Sequence, residues 1–277
     1  MSLHPGVGKG DQADGLGPPP PGETGAKALL QAQGLGRDFG GVRAVDEVSF
    51  SVAQGTITGI IGPNGAGKST VLGMLAGEIR PSRGTMRFDG RDLVRVPPHR
   101  AARAGIIRTF QLASVFLHLT VFENLLMGDY APHIENLWAS LAGRRFWRER
   151  ERDRIDRAHK ILEQFDMAGV GDQYAEELSG GQKRLVEIMR ALMASPRLLL
   201  LDEPMAGVNR TIGARIEEIL LQLRSQGMTI LMIEHELEVV ERLCDPVIVM
   251  ARGRVLHQGT MEEIRRDHDV QKAYLVG

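Results

Sequence analysis

Apolar positions along this chain follow two rhythms, and their alternation predicts an α/β protein. From Leu29 to Ile61 the pattern is that of strands, with Val45, Val48, Phe50 and Val52 as apolar or β-branched positions. Thr56–Ile61 is the sharpest strand candidate, and it runs into a glycine-rich segment beginning at Gly62. A helix is predicted from Lys68, with Val71, Leu72, Leu75 and Ile79 on one face. Residues 84–93 read as a further strand with a turn at Asp89-Gly90. The rhythm then breaks. Over about 112–177 no strand is predicted after Val115, and residues 144–165 read as a charged helix with Ile155, Ala158, Leu162 and Phe165 on one stripe. Asp153 and Arg157, and Asp156 and Lys160, stand four apart with the acid first, as ion pairs on a solvated face. From Gln182 the alternation resumes: a helix to about Ala194, a wholly apolar run Leu198–Leu201 suited to a central parallel strand, a helix over about 211–226, and a strand Thr229–Ile233. Val247–Met250 and Val255–His257 predict a final hairpin, and Thr260 with Glu263 a capping box for a last helix.

The length of 277 residues suits one large α/β domain, or a core with a small appended subdomain. A formal net charge of −1 gives no nucleic-acid footprint, which would need a basic excess. The single cysteine, Cys244, excludes an intrachain disulfide and reads as packing. No apolar run approaches the roughly 18 residues that cross a bilayer. The N-terminus has no apolar signal core behind a basic start. The chain thus reads as soluble alone, with any membrane role reached through a partner. Residues 1–27, rich in Gly and Pro and holding Pro18–Pro21, read as a disordered tail.

Three motifs carry chemistry. Gly62-Pro63-Asn64-Gly65-Ala66-Gly67-Lys68-Ser69-Thr70 fits G-x-x-x-x-G-K-[ST] between a predicted strand and a predicted helix. Glycines let the backbone curl so that several N–H groups face one anion, and the helix adds its positive end. In such a loop Lys68 reaches the β- and γ-phosphates and Ser69 ligates Mg²⁺. Chance matches arise on the order of once per hundred chains of this length. Next, Leu198–Leu201 ends in Asp202-Glu203, which places two carboxylates at the phosphate end of the sheet. Asp202 would hold Mg²⁺, and Glu203 would polarise an attacking water. Taken alone, such a strand end could be a solvated terminus. Third, Leu178-Ser179-Gly180-Gly181-Gln182 suits a helix start, with Ser179 as its cap.

Leu-Ser-Gly-Gly-Gln, lying between a phosphate loop and an Asp-Glu strand end, resembles the signature of ABC (ATP-binding cassette) ATPases. The resemblance spans about residues 29–277 and implies a P-loop NTPase α/β core with an antiparallel β edge and an inserted α-helical subdomain at about 112–177. It also implies ATP and Mg²⁺ as ligands. Ser179, Gly180, Gly181 and Gln182 would cradle the γ-phosphate of ATP held by the loop of an opposite subunit, identical or paralogous. Phe39, ahead of Gly40-Gly41, stands where the family stacks an aromatic on adenine, although a lone phenylalanine is usually core. Gln111, in Arg108-Thr109-Phe110-Gln111, matches the loop glutamine that senses Mg²⁺ and the membrane partner. His235 matches the switch histidine on the γ-phosphate.

The match is finer than the superfamily. Arg108–Gln111, Leu119–Asn124, Pro204–Asn209 and the ending Ala273–Leu275 look like ATPases of branched-chain amino acid importers. Leu178–Gln182 is the general signature, where many members of that subgroup carry a variant. Related importers take urea or short amides, so the solute is left open. The partners implied are a second ATPase subunit, two membrane-spanning permeases and, indirectly, a solute-binding protein, with the chain peripheral on the cytoplasmic face of the membrane. The alternatives are a non-transport ABC ATPase of DNA repair, cluster assembly or translation and a regulatory nucleotide-binding subunit. The first usually carries coiled-coil insertions or a second cassette, and intact Lys68, Glu203 and His235 argue against the second.

Overall fold

The computed structural model describes residues 27–94, 96–109, 115–129 and 144–275. Its first sheet is antiparallel, in the order β2-β1-β4-β5, from β1 (Ala28–Phe39), β2 (Val42–Ala53), β4 (Arg83–Phe88) and β5 (Arg91–Asp92). The second runs β10-β9-β3-β8-β7-β6, from β3 (Ile57–Ile61), β6 (Ile106–Arg108), β7 (Leu198–Asp202), β8 (Thr229–Ile233), β9 (Val247–Ala251) and β10 (Arg254–Gly259). Its pairs are parallel except for the β9–β10 hairpin. The helices are α1 (Lys68–Leu75), α2 (Pro98–Ala104), α3 (Val121–Leu126), α4 (Arg144–Gln164), α5 (Gly180–Met193), α6 (Arg210–Ser225), α7 (Leu237–Leu243), α8 (Met261–Arg266) and α9 (His268–Leu275).

The unbroken apolar runs have a plain cause. Strands β3, β7, β8 and β9 are buried at every position, and successive residues face two different cores. Leu199, Leu201, Ile230, Met232, Val247 and Val249 pack toward helices α3 to α7. Leu198, Leu200, Leu231, Ile233, Ile248 and Met250 pack with α1 against the antiparallel sheet. A short strand buried on both faces has no polar alternation to display, and each of its ends is free to carry a reacting side chain.

The expected turn at Asp89-Gly90, the final hairpin and the Thr260–Glu263 capping box are all present. Between β6 and β7 the described residues form helices and two 3₁₀ turns, with one isolated bridge, Thr120 to Tyr174. Two expectations differ. Helix α1 ends at Leu75, and Ile79 lies beyond it because Gly77 (φ 76°) turns the chain back, with its N–H on the Met74 carbonyl. Among the described residues of α4 neither Asp153–Arg157 nor Asp156–Lys160 pairs; Arg154 pairs within the helix with Glu151 at 3.0 Å, and the arginines also reach other elements. Arg157 donates to the Leu192 carbonyl at 3.1 Å, and Arg154 reaches Asp129 at 2.8 Å and the Leu126 carbonyl at 3.1 Å. Each of those helix-end carbonyls also accepts a backbone N–H, from Ser195 at 3.0 Å and from Asp129 at 3.3 Å, and has a second lone pair for the arginine. No described helix is long and apolar enough to cross a membrane.

Candidate nucleotide site

The site begins where β3 ends. Residues 62–67 leave the sheet, and α1 starts at Lys68 with Gly67 in a left-handed conformation (φ 95°) as its cap. A side chain at Gly67 would press on the Ala44 carbonyl at 2.5 Å. The loop is tied on both sides, Ala66 N–H to the Pro63 carbonyl at 3.2 Å and Gly253 N–H to the Ala66 carbonyl at 3.1 Å. Lys68 is buried, and its Nζ donates to the carbonyls of Gly62 (2.8 Å) and Pro63 (3.0 Å). Burial lowers its pKa, against the opposing charges of Glu203 and Asp202. A cleft of about 340 Å³ is lined by Ala44, Asn64–Thr70, Glu203 and His235.

The sheet order delivers the acidic side. Strand β7 lies one strand away from β3, with β8 between them, so the ends of β7 and β8 bring Asp202, Glu203 and His235 toward the loop. Asp202 is fully buried. Its Oδ2 accepts from Arg108 Nη2 at 2.7 Å, while Oδ1 has no partner among the described residues. Arg108, closing β6, bridges Asp202 to Glu78. Glu203 holds a left-handed backbone, φ 50°, which costs an L residue on the order of 1–2 kcal/mol. Its Oε1 lies 2.8 Å from His235 Nε2. Glu234, buried beside them, accepts from the N–H groups of Met205 (3.0 Å) and His235 (2.9 Å). Burial raises its pKa, and those backbone N–H groups pull it back.

The other expected site residues lie apart from this cleft. Ser179 caps α5 with both halves of a capping box: Gln182 N–H to Ser179 Oγ at 3.2 Å, and Ser179 N–H to Gln182 Oε1 at 3.0 Å. Ser179 and Gly180 are exposed, and Gly181 is backed by Ile212. The N–H groups of Gly180 and Gly181 have no acceptor among the described residues, as the first turn of a helix leaves them. Phe39, at the end of β1, is exposed at 43% and stands outside the cleft lining, with the Arg37 guanidinium 4.5 Å from its ring centroid. Gln111 lies outside the described residues. Sequence reading assigned no role to Arg108, Glu234, Arg184 or Ala44. The signal for Glu234 was a charge immediately after an apolar strand and before His235.

A parallel sheet with a glycine loop feeding a helix N-terminus, and acids on a nearby strand end, defines a nucleoside-triphosphate site of the phosphate-loop class. The ABC transporter family model matches residues 45–206, and the chain belongs to that family as an ATP-binding, ATP-hydrolysing subunit. It is 38% identical over 247 residues to the probable branched-chain amino acid transport ATP-binding protein LivG of Archaeoglobus fulgidus, covering 89% of this chain and 95% of that one. It is 38% identical over 251 residues to the high-affinity branched-chain amino acid transport ATP-binding protein BraF of Pseudomonas aeruginosa, covering 90% and 98%. Among solved structures it resembles an ATP-binding cassette of an ABC transporter in its ADP conformation, with TM-score 0.79 and 36% identity, covering 91% of this chain and all of that one.

Proposed function

We propose that this chain hydrolyses ATP to drive import of branched-chain amino acids, or of a related small polar solute, through two membrane-spanning permease partners. The relatives named for branched-chain transport support this reading, as do the segments Leu119–Asn124 and Pro204–Asn209. In it, the chain sits on the cytoplasmic face of the membrane and closes head to tail on an identical or paralogous subunit. Its helical segment, about 112–177 with Gln111 at the entrance, receives a permease helix.

The observation that carries the chemistry is the 2.8 Å contact between Glu203 and His235 beside the phosphate loop. Phosphates enter the cleft against the N–H groups of residues 64–70, and Lys68 turns from the Gly62 and Pro63 carbonyls to the β- and γ-phosphates. Glu203 takes the proton of the attacking water, and His235 holds the carboxylate and the γ-phosphate in register. Phe39 supports the adenine on the ring face that Arg37 leaves open. Ser179 and the amides of Gly180 and Gly181 close on the γ-phosphate of the opposite subunit, with Gln182 holding the cap. Asp202 Oδ1, buried without a partner among the described residues, and the Ser69 hydroxyl in the cleft are hard oxygens that fit Mg²⁺. Bound there with Gln111 as a further ligand, Mg²⁺ would neutralise the charge that builds on the phosphate oxygens.

Glu203→Gln tests the reading. MgATP binding is retained, turnover falls by about 10²–10⁴-fold, and an ATP-bound dimer accumulates. Steady-state turnover within about twofold of the parent removes Glu203 from this role.

A further inference from the structure

The feature that the proposed chemistry leaves unexplained is the backbone of Glu203. Among the described residues lining the cleft it is the only non-glycine with a positive φ, 50°. In an extended strand successive carbonyls point to opposite sides. A left-handed residue breaks that alternation and lets consecutive carbonyls converge. Here those of Asp202 and Glu203 converge on one cation: Arg184 Nη2 donates to each at 2.6 Å. Arg184 Nε donates to the Pro204 carbonyl at 3.3 Å, and Nη1 to Glu187 Oε2 at 2.7 Å. Arg184 and Glu187 are both buried, one turn apart in α5. The guanidinium therefore grips the main chain on both sides of Glu203, and its own direction is set by a buried carboxylate.

We propose that Arg184 is a positioning residue that holds Glu203 in its left-handed conformation and so aims the Glu203 carboxylate at His235 and the attacking water. The inference rests on the reading of Glu203 as the proton acceptor. The planar fork is what the geometry uses, since Nε and Nη2 present in-plane donors to three carbonyls while Nη1 binds the acid. An ammonium keeps the charge and loses the fork. Without the grip, the Ile233 carbonyl still holds Glu203 N–H at 3.0 Å, and Ala206 N–H still reaches the Glu203 carbonyl at 3.1 Å. The segment therefore stays in place while the carboxylate loses its aim.

The test uses the full chain with Arg184→Lys and Arg184→Met, each alone and combined with Glu203→Gln. Thermal midpoint, MgATP affinity, kcat and single-turnover hydrolysis are measured. Arg184→Lys is expected to stay folded and to bind MgATP within about threefold of the parent. Its kcat should fall at least about 30-fold, on the scale that a misplacement near 1 Å removes. In the Glu203→Gln background the same change should lower the residual single-turnover rate less than about twofold, because it acts through a carboxylate already gone. An equal fractional loss in both backgrounds overturns the proposal, as does a folded Arg184→Lys with kcat within about threefold of the parent. Loss of the fold or of MgATP binding in both Arg184 variants assigns the residue to stability and also overturns it. If Glu203→Gln itself keeps parental turnover, the reading of Glu203 fails and this inference falls with it. That result differs visibly from an inactive Glu203→Gln beside an active Arg184→Lys.

Discussion

Two glycines of the phosphate loop are required for different reasons, and alanine separates them. At Gly62, φ is 149°, and an added Cβ would stand 2.0 Å from the Met250 carbonyl oxygen on β9. Carbon and oxygen approach to about 3.3 Å, so about 1.3 Å must be found by moving the loop or the strand. Strand β9 is bound to β3 at Ile61↔Val249 and cannot move alone. Overpacking of this kind costs about 1–3 kcal/mol and the backbone conformation about 1–3 more. At Gly65, φ is 80°, but no heavy atom lies within 4 Å of the added Cβ, so only the backbone term of about 1–2 kcal/mol remains. For a domain of this size 1 kcal/mol moves the melting midpoint by about 2–4 °C. Taking a central cost near 4 kcal/mol, Gly62→Ala should melt about 8–16 °C below the parent, and Gly65→Ala about 2–8 °C below. Thermal unfolding followed by circular dichroism without nucleotide is the assay. Equal shifts, or a larger one at Gly65, would show that the contact with Met250 does not set the requirement at Gly62.

Lys68→Ala should weaken ATP and GTP binding alike by about 1.5–3 kcal/mol, the scale of a charge-assisted contact to phosphate. Titration showing a loss confined to ATP would place the lysine on the base instead. Ser179→Arg should leave ATP affinity of the isolated subunit within about threefold of the parent while hydrolysis collapses, since in the proposed reading the cradle serves the other subunit. Monomer affinity falling as far as in Lys68→Ala rules out the head-to-tail arrangement. Cys244, whose thiol burial pushes up to about 12, should resist alkylation in the native protein. Its labelling rate should rise about tenfold per pH unit below that value, and labelling at the unfolded-state rate at pH 8 would refute the burial argument. The same shift has a sign for stability. The raised folded pKa favours the fold fully below the ordinary thiol value of 9.0, and that contribution is lost as pH climbs toward about 12.

Legibility followed physical cause. Strands buried on both faces announce themselves as apolar runs, and Thr229–Ile233 has the bounds the sequence predicts. The phosphate loop was legible because a close backbone turn around an anion needs glycines at fixed spacing. Helix α2 was not, since its Pro-Pro start and Arg-Ala body show no apolar period, and only Ala101 is buried. Strand β6 is three residues long, too short for any rhythm. Arg184 and Glu234 act on main-chain groups of distant segments, and nothing local in the chain marks such a partner. Pairing order was equally hidden, because parallel neighbours are set by crossover packing rather than by adjacent residues.

The sheet order has a consequence for how the protein is made. Strand β3, which launches the phosphate loop, is flanked by β8 and β9. The β8 side begins at Thr229, about 170 residues after Ile61. At about 5–20 residues per second, a ribosome needs roughly ten to thirty seconds to deliver the first of those neighbours. Until then Ile57–Ile61 is an apolar strand with both edges unpaired, and no nucleotide can reward it, because the wall formed by Met250 behind Gly62 is still unmade. A chain that ends between Ile61 and Val247 leaves at least one edge of β3 without its partner, and an unpaired apolar edge is a template for aggregation.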